Sequence, residues 1–342
     1  MKKILVVLLA LVLALGTFSA LAEGETYDIR VLVWKYDDTY GSSVRQAMSN
    51  AAEEIADELG ITINLTMYDA ADDMAKQVEQ ATQLVGEKPD FIIINLAEVA
   101  SGQTLVDMFT EAGIPFLFYN KEPSEETVQS VVVDSGSIFI GTTPREAGDM
   151  QGEILAELWA ADQSIDLNGD GVLQFVEFEG EPNNPEAIAR TQYSEETAIA
   201  QGVPLEPALD EYVIVANWDT AQANEKMTAT FAANPGIEVV FCNNDDMANG
   251  VVAALRDQGY NTGDADAPKL IIIGVDATDW ALTAVANGEI YGTVKQDGDA
   301  MGYANVRVAV NYLQTGSWLD GLDYELAADG YSIRIPYAKI TE

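Results

Sequence analysis

The sequence predicts an α/β protein built as two doubly wound lobes, each a parallel sheet with helices on both faces. Three observations predict it. Strand-type and helix-type patterns alternate along most of the chain, which calls for a parallel sheet with right-handed crossovers. One strand-type run, Phe91-Ile92-Ile93-Ile94 leading into Asn95, is continuously apolar up to its last residue, as a strand covered on both faces must be. The alternation restarts near residue 144 of a 342-residue chain, a length that suits two domains.

The elements follow in order. Residues 29–34 form a β-branched, apolar strand, and a helix follows with Val44, Met48, Ala51, Ile55 and Leu59 on one face. Strand 61–65, helix 72–85, strand 91–95, helix 100–112 and strand 115–119 complete the first β-α-β-α-β-α-β series. A further strand is expected at 131–133 or at 138–140. The restart opens on a helix at 144–160 with Pro144 in its first turn, where a missing N–H costs nothing. A strand-like run at 175–179, a helix from 185 to about 200 and a strand at 212–216 come next. Asp219 is placed to cap the helix 221–232. Strand 238–242, helix 247–257, strand 270–275, helix 280–286, strand 291–294, a long helix over about 300–313 and a final strand at 332–335 close the chain.

Composition narrows the chemistry. The chain has no histidine, which excludes Ser-His-Asp and Cys-His catalysis and His-ligated zinc. Its single cysteine, Cys242, cannot form an internal disulfide and stands in an apolar run as a small core residue. Lys2 and Lys3, an apolar run over 4–15 and Ala20-Leu21-Ala22 read as a secretory signal peptide cleaved near Ala22. No cysteine stands there to carry a lipid, so a free periplasmic or extracellular protein is expected. Removing Lys2 and Lys3 with that segment leaves 15 basic against 56 acidic residues, a net charge of −41. Such a surface repels nucleic acid and anionic membranes, and it suits a neutral ligand.

Two patterns carry chemistry. Asp166, Asn168, Asp170 and Gly171 occupy positions one, three, five and six of an EF-hand calcium loop. Val172 could add its carbonyl and Gln174 an amide oxygen, giving the oxygen-rich set that Ca2+ requires. An EF-hand would complete that set with Glu177 at its twelfth position, yet here the loop runs into a strand instead of a helix. The second pattern is a row of polar residues just past strand ends: Asp38, Asn95, Trp218-Asp219, Asn243-Asn244, Asp276 and Gln296. Asp219, Asp245 and Asp276 also read as helix caps. In open α/β sheets, ligands bind outside the carboxyl ends of the strands. Two such edges could face each other across a cleft.

The stretches Lys35-Tyr36-Asp37-Asp38, Asn120 to Ser124, the 166–174 loop, Gly180-Glu181-Pro182, Ala189-Arg190-Thr191, Trp218 to Ala223, Asn243-Asn244-Asp245, Gly274-Val275-Asp276 and Gly292-Thr293-Val294 carry a resemblance. In that order they resemble the periplasmic galactose/glucose-binding proteins of sugar importers. The resemblance implies two Rossmann-like lobes joined by three crossing segments, near residues 119–124, 296–299 and 316–323. It divides the chain into a signal peptide (1–22), a first lobe (23–119 plus 298–318) and a second lobe with the calcium loop (120–297 plus 319–342).

The resemblance also implies a cleft that closes by hinge motion on one neutral hexose, galactose- or glucose-like. Tyr40 and Trp218 would cover the faces of the sugar ring. Asp38 and Asn95 would bind its rim from the first lobe, and Asn184, Glu186, Arg190, Asn244 and Asp276 from the second, with Gln296 at a crossing. Planar groups with paired donors or acceptors suit hydroxyls on a rim, and aromatic rings suit its C–H faces. For the metal, Glu238 matches the family's distant glutamate, so Ca2+ would be held by Asp166, Asn168, Asp170, Val172, Gln174 and Glu238, with Glu177 the alternative. Implied partners are the permease of an ABC importer and a chemoreceptor, the protein itself being a monomer and not an enzyme. The family has histidine at 184, aspartate at 186, asparagine at 296 and phenylalanine at 40. These departures leave an epimer, a pentose or a methyl glycoside open. A glycosidase using Asp38, Glu186 and Asp276 is the competing enzymatic reading, since that chemistry needs two carboxyls flanking a bond. A regulatory sensor is the third, disfavoured by the absence of a basic patch.

Overall fold

The computed structural model describes residues 24–264 and 266–341. The expected signal peptide lies outside the described residues. Strand β1 (Thr26–Val33) is followed by α1 (Thr39–Leu59), β2 (Thr62–Asp69), α2 (Met74–Glu87), β3 (Phe91–Ile94), α3 (Gly102–Ala112), β4 (Phe116–Tyr119), α4 (Glu125–Ser130) and β5 (Phe139–Gly141). The chain then builds α5 (Pro144–Ala161), β6 (Leu173–Glu179), α6 (Pro185–Ala200), β7 (Leu205–Pro207), β8 (Val213–Val215), α7 (Thr220–Ala233), β9 (Val239–Cys242) and α8 (Asp245–Arg256). It ends in β10 (Ile271–Val275), α9 (Asp279–Ala286), β11 (Gly292–Gln296), α10 (Gly298–Thr315), β12 (Ser332–Arg334) and β13 (Tyr337–Thr341).

These strands form two sheets. The first runs β12-β5-β4-β3-β1-β2 and is parallel throughout. The second runs β13-β11-β10-β9-β6-β7, with β8 also on β6, and is parallel except for β13. Each sheet is covered on both faces. In the first lobe α1 and α10 lie on one side and α2 and α3 on the other. In the second, α5 packs on one side and α7 and α8 on the other. This is the expected fold class.

Close helix packing rests on particular glycines. A Cβ on Gly302 of α10 would stand 2.5 Å from the Cβ of Ala47 in α1, and one on Gly152 of α5 would stand 2.6 Å from the Ser194 carbonyl in α6. The α1 N-terminus is closed by Asp38, which accepts the N–H of Gly41 at 2.6 Å, and its C-terminus ends on Gly60 at φ +65°.

Strand pairing corrects the expected division into lobes. β5 pairs with β4, so residues 120–141 stay with the first sheet. β12 pairs with β5 while β13 pairs with β11. The crossings therefore run at 142–143, at 297 and at 335–336. The expected sites at 119–124 and 316–323 lie inside the first lobe, and the 296–299 site holds. The reason is an edge strand: three residues, Phe139–Gly141, are too short to be distinguished by pattern from the alternative at 131–133, which coils into a helical turn. The closing strand β13 goes unannounced because Pro336 separates it from β12 and its residues alternate only weakly.

Candidate functional site

The carboxyl ends of the two sheets face each other, and a cavity between them is lined by Trp34, Asp38, Tyr40, Asn120 and Lys121 from the first lobe. Asn184, Glu186, Arg190, Trp218, Asn244, Asp276 and Gln296 line it from the second. Nine of the ten residues expected at the site stand here. The tenth, Asn95, is buried at the end of β3 behind this lining. Gln77 fixes that turn by donating to the Asn95 carbonyl at 2.8 Å and accepting the Ala97 N–H at 2.8 Å. The Asn95 Oδ1 is buried without a partner.

Trp34, Asn120 and Lys121 line the cleft without having been expected there. Asn120 follows β4 directly, so the rule of polar residues past strand ends reaches it as readily as the others. Lys121 donates to the Ala97 carbonyl (3.0 Å) and across the cleft to Glu181 (3.1 Å), and its ammonium lies 4.3 Å from the centre of the Trp34 ring. A second cross-cleft bond joins Thr39 Oγ1 to Asp246 at 2.9 Å, so the lobes are in contact and the cleft is closed.

Backbone conformation aims several of these groups. Asn120, Trp218 and Asp276 have φ of +61°, +63° and +117°, a region costly for residues with a Cβ. Strain of this kind persists where surrounding structure over-determines it. For Trp218 the surroundings include Gly180: a Cβ there would fall 2.2 Å from the indole Cε2, so the ring uses the space a side chain would fill. The Trp218 Nε1 is buried without a partner.

The polar groups divide into those occupied by protein and those left to face the cavity. Asp38 and Asn244 cap α1 and α8, Asn244 taking the Met247 N–H at 3.0 Å. Asn184 caps α6 by accepting the Glu186 N–H at 2.9 Å. Asp219 caps α7 as expected. Asp245 and Asp276 do not serve as caps: Asn244 and Thr278 do that for α8 and α9. Glu186 spends both oxygens, on Thr142 at 2.6 Å and on Arg190 and Tyr337 at 3.2 and 3.0 Å. Arg190 donates to the Asn243 carbonyl (2.7 Å), Gln296 (2.9 Å) and Tyr337 (2.9 Å), while its Nε is buried without a partner.

Asp276 is different. It is 8% exposed, its carboxylate lies 3.9 Å from Arg190, and no helix N-terminus uses it. Burial pushes its carboxyl well above the usual range, against the pull of Arg190, and Asp245 and Asp38 nearby push the same way. Asp245 is raised to about 7, again chiefly by burial, although it accepts the Thr278 N–H and the Thr293 hydroxyl, each at 2.8 Å. Asp38 is raised for the same reason. Such a site holds poorly solvated acceptors and donors, fitted to a ligand rich in hydroxyls. Of the three carboxyls in the competing enzymatic reading, Glu186 is committed to protein partners and Asp38 to the α1 N-terminus, which leaves Asp276 alone without such a role.

The loop 166–174 forms a second polar cluster. Asp166 accepts the N–H groups of Gly169 (2.7 Å) and Gly171 (2.8 Å), and Asn168 and Asp170 accept those of Asp170 (2.8 Å) and Val172 (3.0 Å). Gln174 bonds Asn168 and Asp170. Glu238 reaches the loop from the start of β9 and accepts the N–H groups of Leu167, Asn168 and Gln174 at 2.6, 3.2 and 3.2 Å. Glu177 does not reach it: fully buried in β6, it meets Ser194 at 2.8 Å, and burial pushes its carboxyl well up. Among the described residues no three acidic, thiol or imidazole groups gather as a metal-holding cluster. The loop's donors are instead a mixed set of carboxylate and amide oxygens, which fits a hard cation.

Comparison with known proteins gives a consistent picture. Residues 31–317 match the family model described as a periplasmic binding protein domain. The D-galactose/methyl-galactoside binding periplasmic protein of Haemophilus influenzae is 33% identical over 333 residues, covering 97% of this chain and 94% of that one. The ribose import binding protein of Salmonella typhimurium is 24% identical, covering 78% of this chain and 80% of its own. Among solved structures, an ABC transporter solute binding protein from Bacillus halodurans with bound myo-inositol superimposes with a TM-score of 0.73 at 26% identity, covering 93% of this chain and 95% of that one.

Proposed function

The chain belongs to the periplasmic binding protein family, and from that premise we propose that it captures a neutral monosaccharide, galactose-like in the first instance, between its lobes. It then hands the sugar to the membrane permease of an ABC importer, with a chemoreceptor as the further partner that the resemblance implies. Its site of action is outside the cytoplasmic membrane. Its relatives are solute-binding proteins and not enzymes.

The observation that carries the reading is Asp276. A buried carboxyl on strained backbone, without a capping role, needs hydrogen-bond partners that the protein does not supply, and a sugar's vicinal hydroxyls, which both donate and accept, supply them. Trp34, Tyr40 and Trp218 beside it offer apolar faces for C–H groups. The orphaned Nε groups of Arg190 and Trp218 support the same polar, uncharged ligand class.

The test is titration calorimetry of the wild type and Asp276→Asn against D-galactose, D-glucose, D-ribose, methyl galactoside and myo-inositol. Leaving a buried polar group without its partner costs about 1–3 kcal/mol, so Asp276→Asn should weaken the preferred ligand roughly 5- to 150-fold. Equal affinity in the two proteins would remove Asp276 from the site, and release of product from an aryl galactoside would restore the enzymatic reading.

The loop 166–174, closed by Glu238, is proposed to hold Ca2+ as a structural ion. Support comes from the all-oxygen donor set and from Glu238 turning both oxygens onto the loop. The ion would tie the loop to β9 and stabilise the second lobe.

A further inference from the structure

Side chains at or beside all three crossings converge on one guanidinium, two directly and one through Glu186. Thr142, at the first crossing, donates to Glu186, which Arg190 holds. Gln296, at the end of β11 before the second, accepts from Arg190 Nη2 at 2.9 Å. Tyr337, first residue of β13 after the third, accepts from the same Nη2 at 2.9 Å. The register of the sheet sets Tyr337 directly opposite Gln296, which brings the last two together. The Tyr337 hydroxyl also lies 3.0 Å from both Thr142 Oγ1 and Glu186 Oε2, one of which takes its single proton. On the other side, Gln296 donates to Asn120 across the cleft at 3.2 Å.

Arg190 thus has two ends with different duties. Nη2 is shared among Glu186, Gln296 and Tyr337, all at or beside the crossings. Nε is buried without a partner. The guanidinium centre stands 5.8 Å from the Tyr337 ring and 5.8 Å from the Trp218 ring, between the hinge and the cleft.

We propose that Tyr337 is a positioning residue that couples the cleft to the hinge: its hydroxyl joins Arg190 of the second lobe to Thr142 at the first crossing and favours the closed arrangement, already without ligand and further when the cleft is filled. The proposal rests on the ligand reading above for its biological use, but the mechanical part stands on the hinge geometry. Arg190, Glu186, Gln296 and Tyr337 all move with the second lobe, so rotating the lobes apart strains the bonds that leave it: Tyr337 to Thr142 at the first crossing and Gln296 to Asn120 of the first lobe. A ligand that accepts from the cleft side of Arg190 restrains the guanidinium and so favours the closed arrangement at the other end. Tyr337 touches no cavity surface and acts through Arg190.

Tyr337→Phe removes the hydroxyl and keeps the buried ring. The control is Tyr212→Phe, which removes a hydroxyl bonded to Glu195 at 2.9 Å in the second lobe, away from the crossings. Small-angle X-ray scattering of the ligand-free proteins, read for radius of gyration, reports opening without any ligand. The coupling predicts that Tyr337→Phe is more open than both wild type and control, with a melting temperature close to the control's. With D-galactose as the probe, it predicts affinity lowered about tenfold, carried by a faster off-rate. Scattering profiles of Tyr337→Phe and wild type that superimpose would overturn the proposal. If the wild type binds no D-galactose, the ligand reading is what fails, and the scattering comparison still decides the coupling.

Discussion

Gly180→Ala addresses the cleft at its tightest point. The added methyl would stand 2.2, 2.3 and 2.5 Å from the Cε2, Cζ2 and Cδ2 atoms of Trp218. Carbon atoms in favourable contact lie about 3.5–4.0 Å apart, so the indole must retreat by on the order of 1.3 Å. It cannot retreat freely, because Trp218 also packs against Trp34, Ala70 and Ala97 of the opposite lobe. Overpacking of this size costs about 1–3 kcal/mol. If the methyl forces the ring into the cleft, that cost falls on the ligand-bound state, and affinity drops roughly 5- to 150-fold. Calorimetry on the ligand found in the panel, together with Trp emission and thermal melting, separates the outcomes. The expected result is weakened binding with a shifted emission maximum and a modest change in melting. Unchanged affinity and unchanged emission would refute the placement of Trp218 against Gly180. A large loss of melting temperature with intact affinity would place the ring's role in the core of the second lobe instead.

The remaining predictions concern charge and metal. Asp245 is raised to about 7 in the folded protein, so the folded state binds its proton more tightly than the unfolded chain does; its stabilisation is complete below about pH 4 and is lost as pH rises through 7. Asp245→Asn should therefore flatten the fall in stability between those limits, and urea denaturation at pH 4.5, 6 and 7.5 measures it; an unchanged slope would show that Asp245 titrates as an ordinary carboxyl. Glu238→Gln should shrink the rise in melting temperature produced by millimolar Ca2+ over chelator, whereas Glu177→Gln should leave that rise intact; the opposite result would mean the loop is completed as an EF-hand. Lys121→Met removes the cross-cleft pair with Glu181 and should raise the ligand's dissociation constant several-fold with little change in melting, measured by stopped-flow fluorescence; an unchanged off-rate would make the pair irrelevant to closure.

Legibility in the sequence varied with range. Several cleft residues were legible because a short rule finds them: in a parallel sheet the loops at the strand carboxyl ends share one edge, and Asp38, Trp218, Asn244, Asp276 and Gln296 all fall there. The same rule failed at Asn95, whose backbone is pulled inward by Gln77 from a helix eighteen residues away in sequence. It also could not separate Asn244, which caps α8, from Asp245 beside it, which turns inward to Thr278 and Thr293. Capping and burial are decided by which oxygen the neighbouring element presents, and two adjacent acidic or amide residues look alike until that element is in place.

The local arithmetic of the chain settled the alternation of strands and helices, the oxygen spacing of the 166–174 loop and the polar rim at the strand ends, because each depends on residues a few positions apart. The tertiary structure settled the rest: β5 and β12 joining the first sheet, the crossings at 142–143 and 335–336, and Tyr337 meeting Arg190 from 147 residues away. Those contacts arise from pairing a three-residue edge strand and from an antiparallel return beside β11. Nothing in the neighbourhood of such short segments distinguishes one partner strand from another; the choice is made when the whole sheet closes over its core.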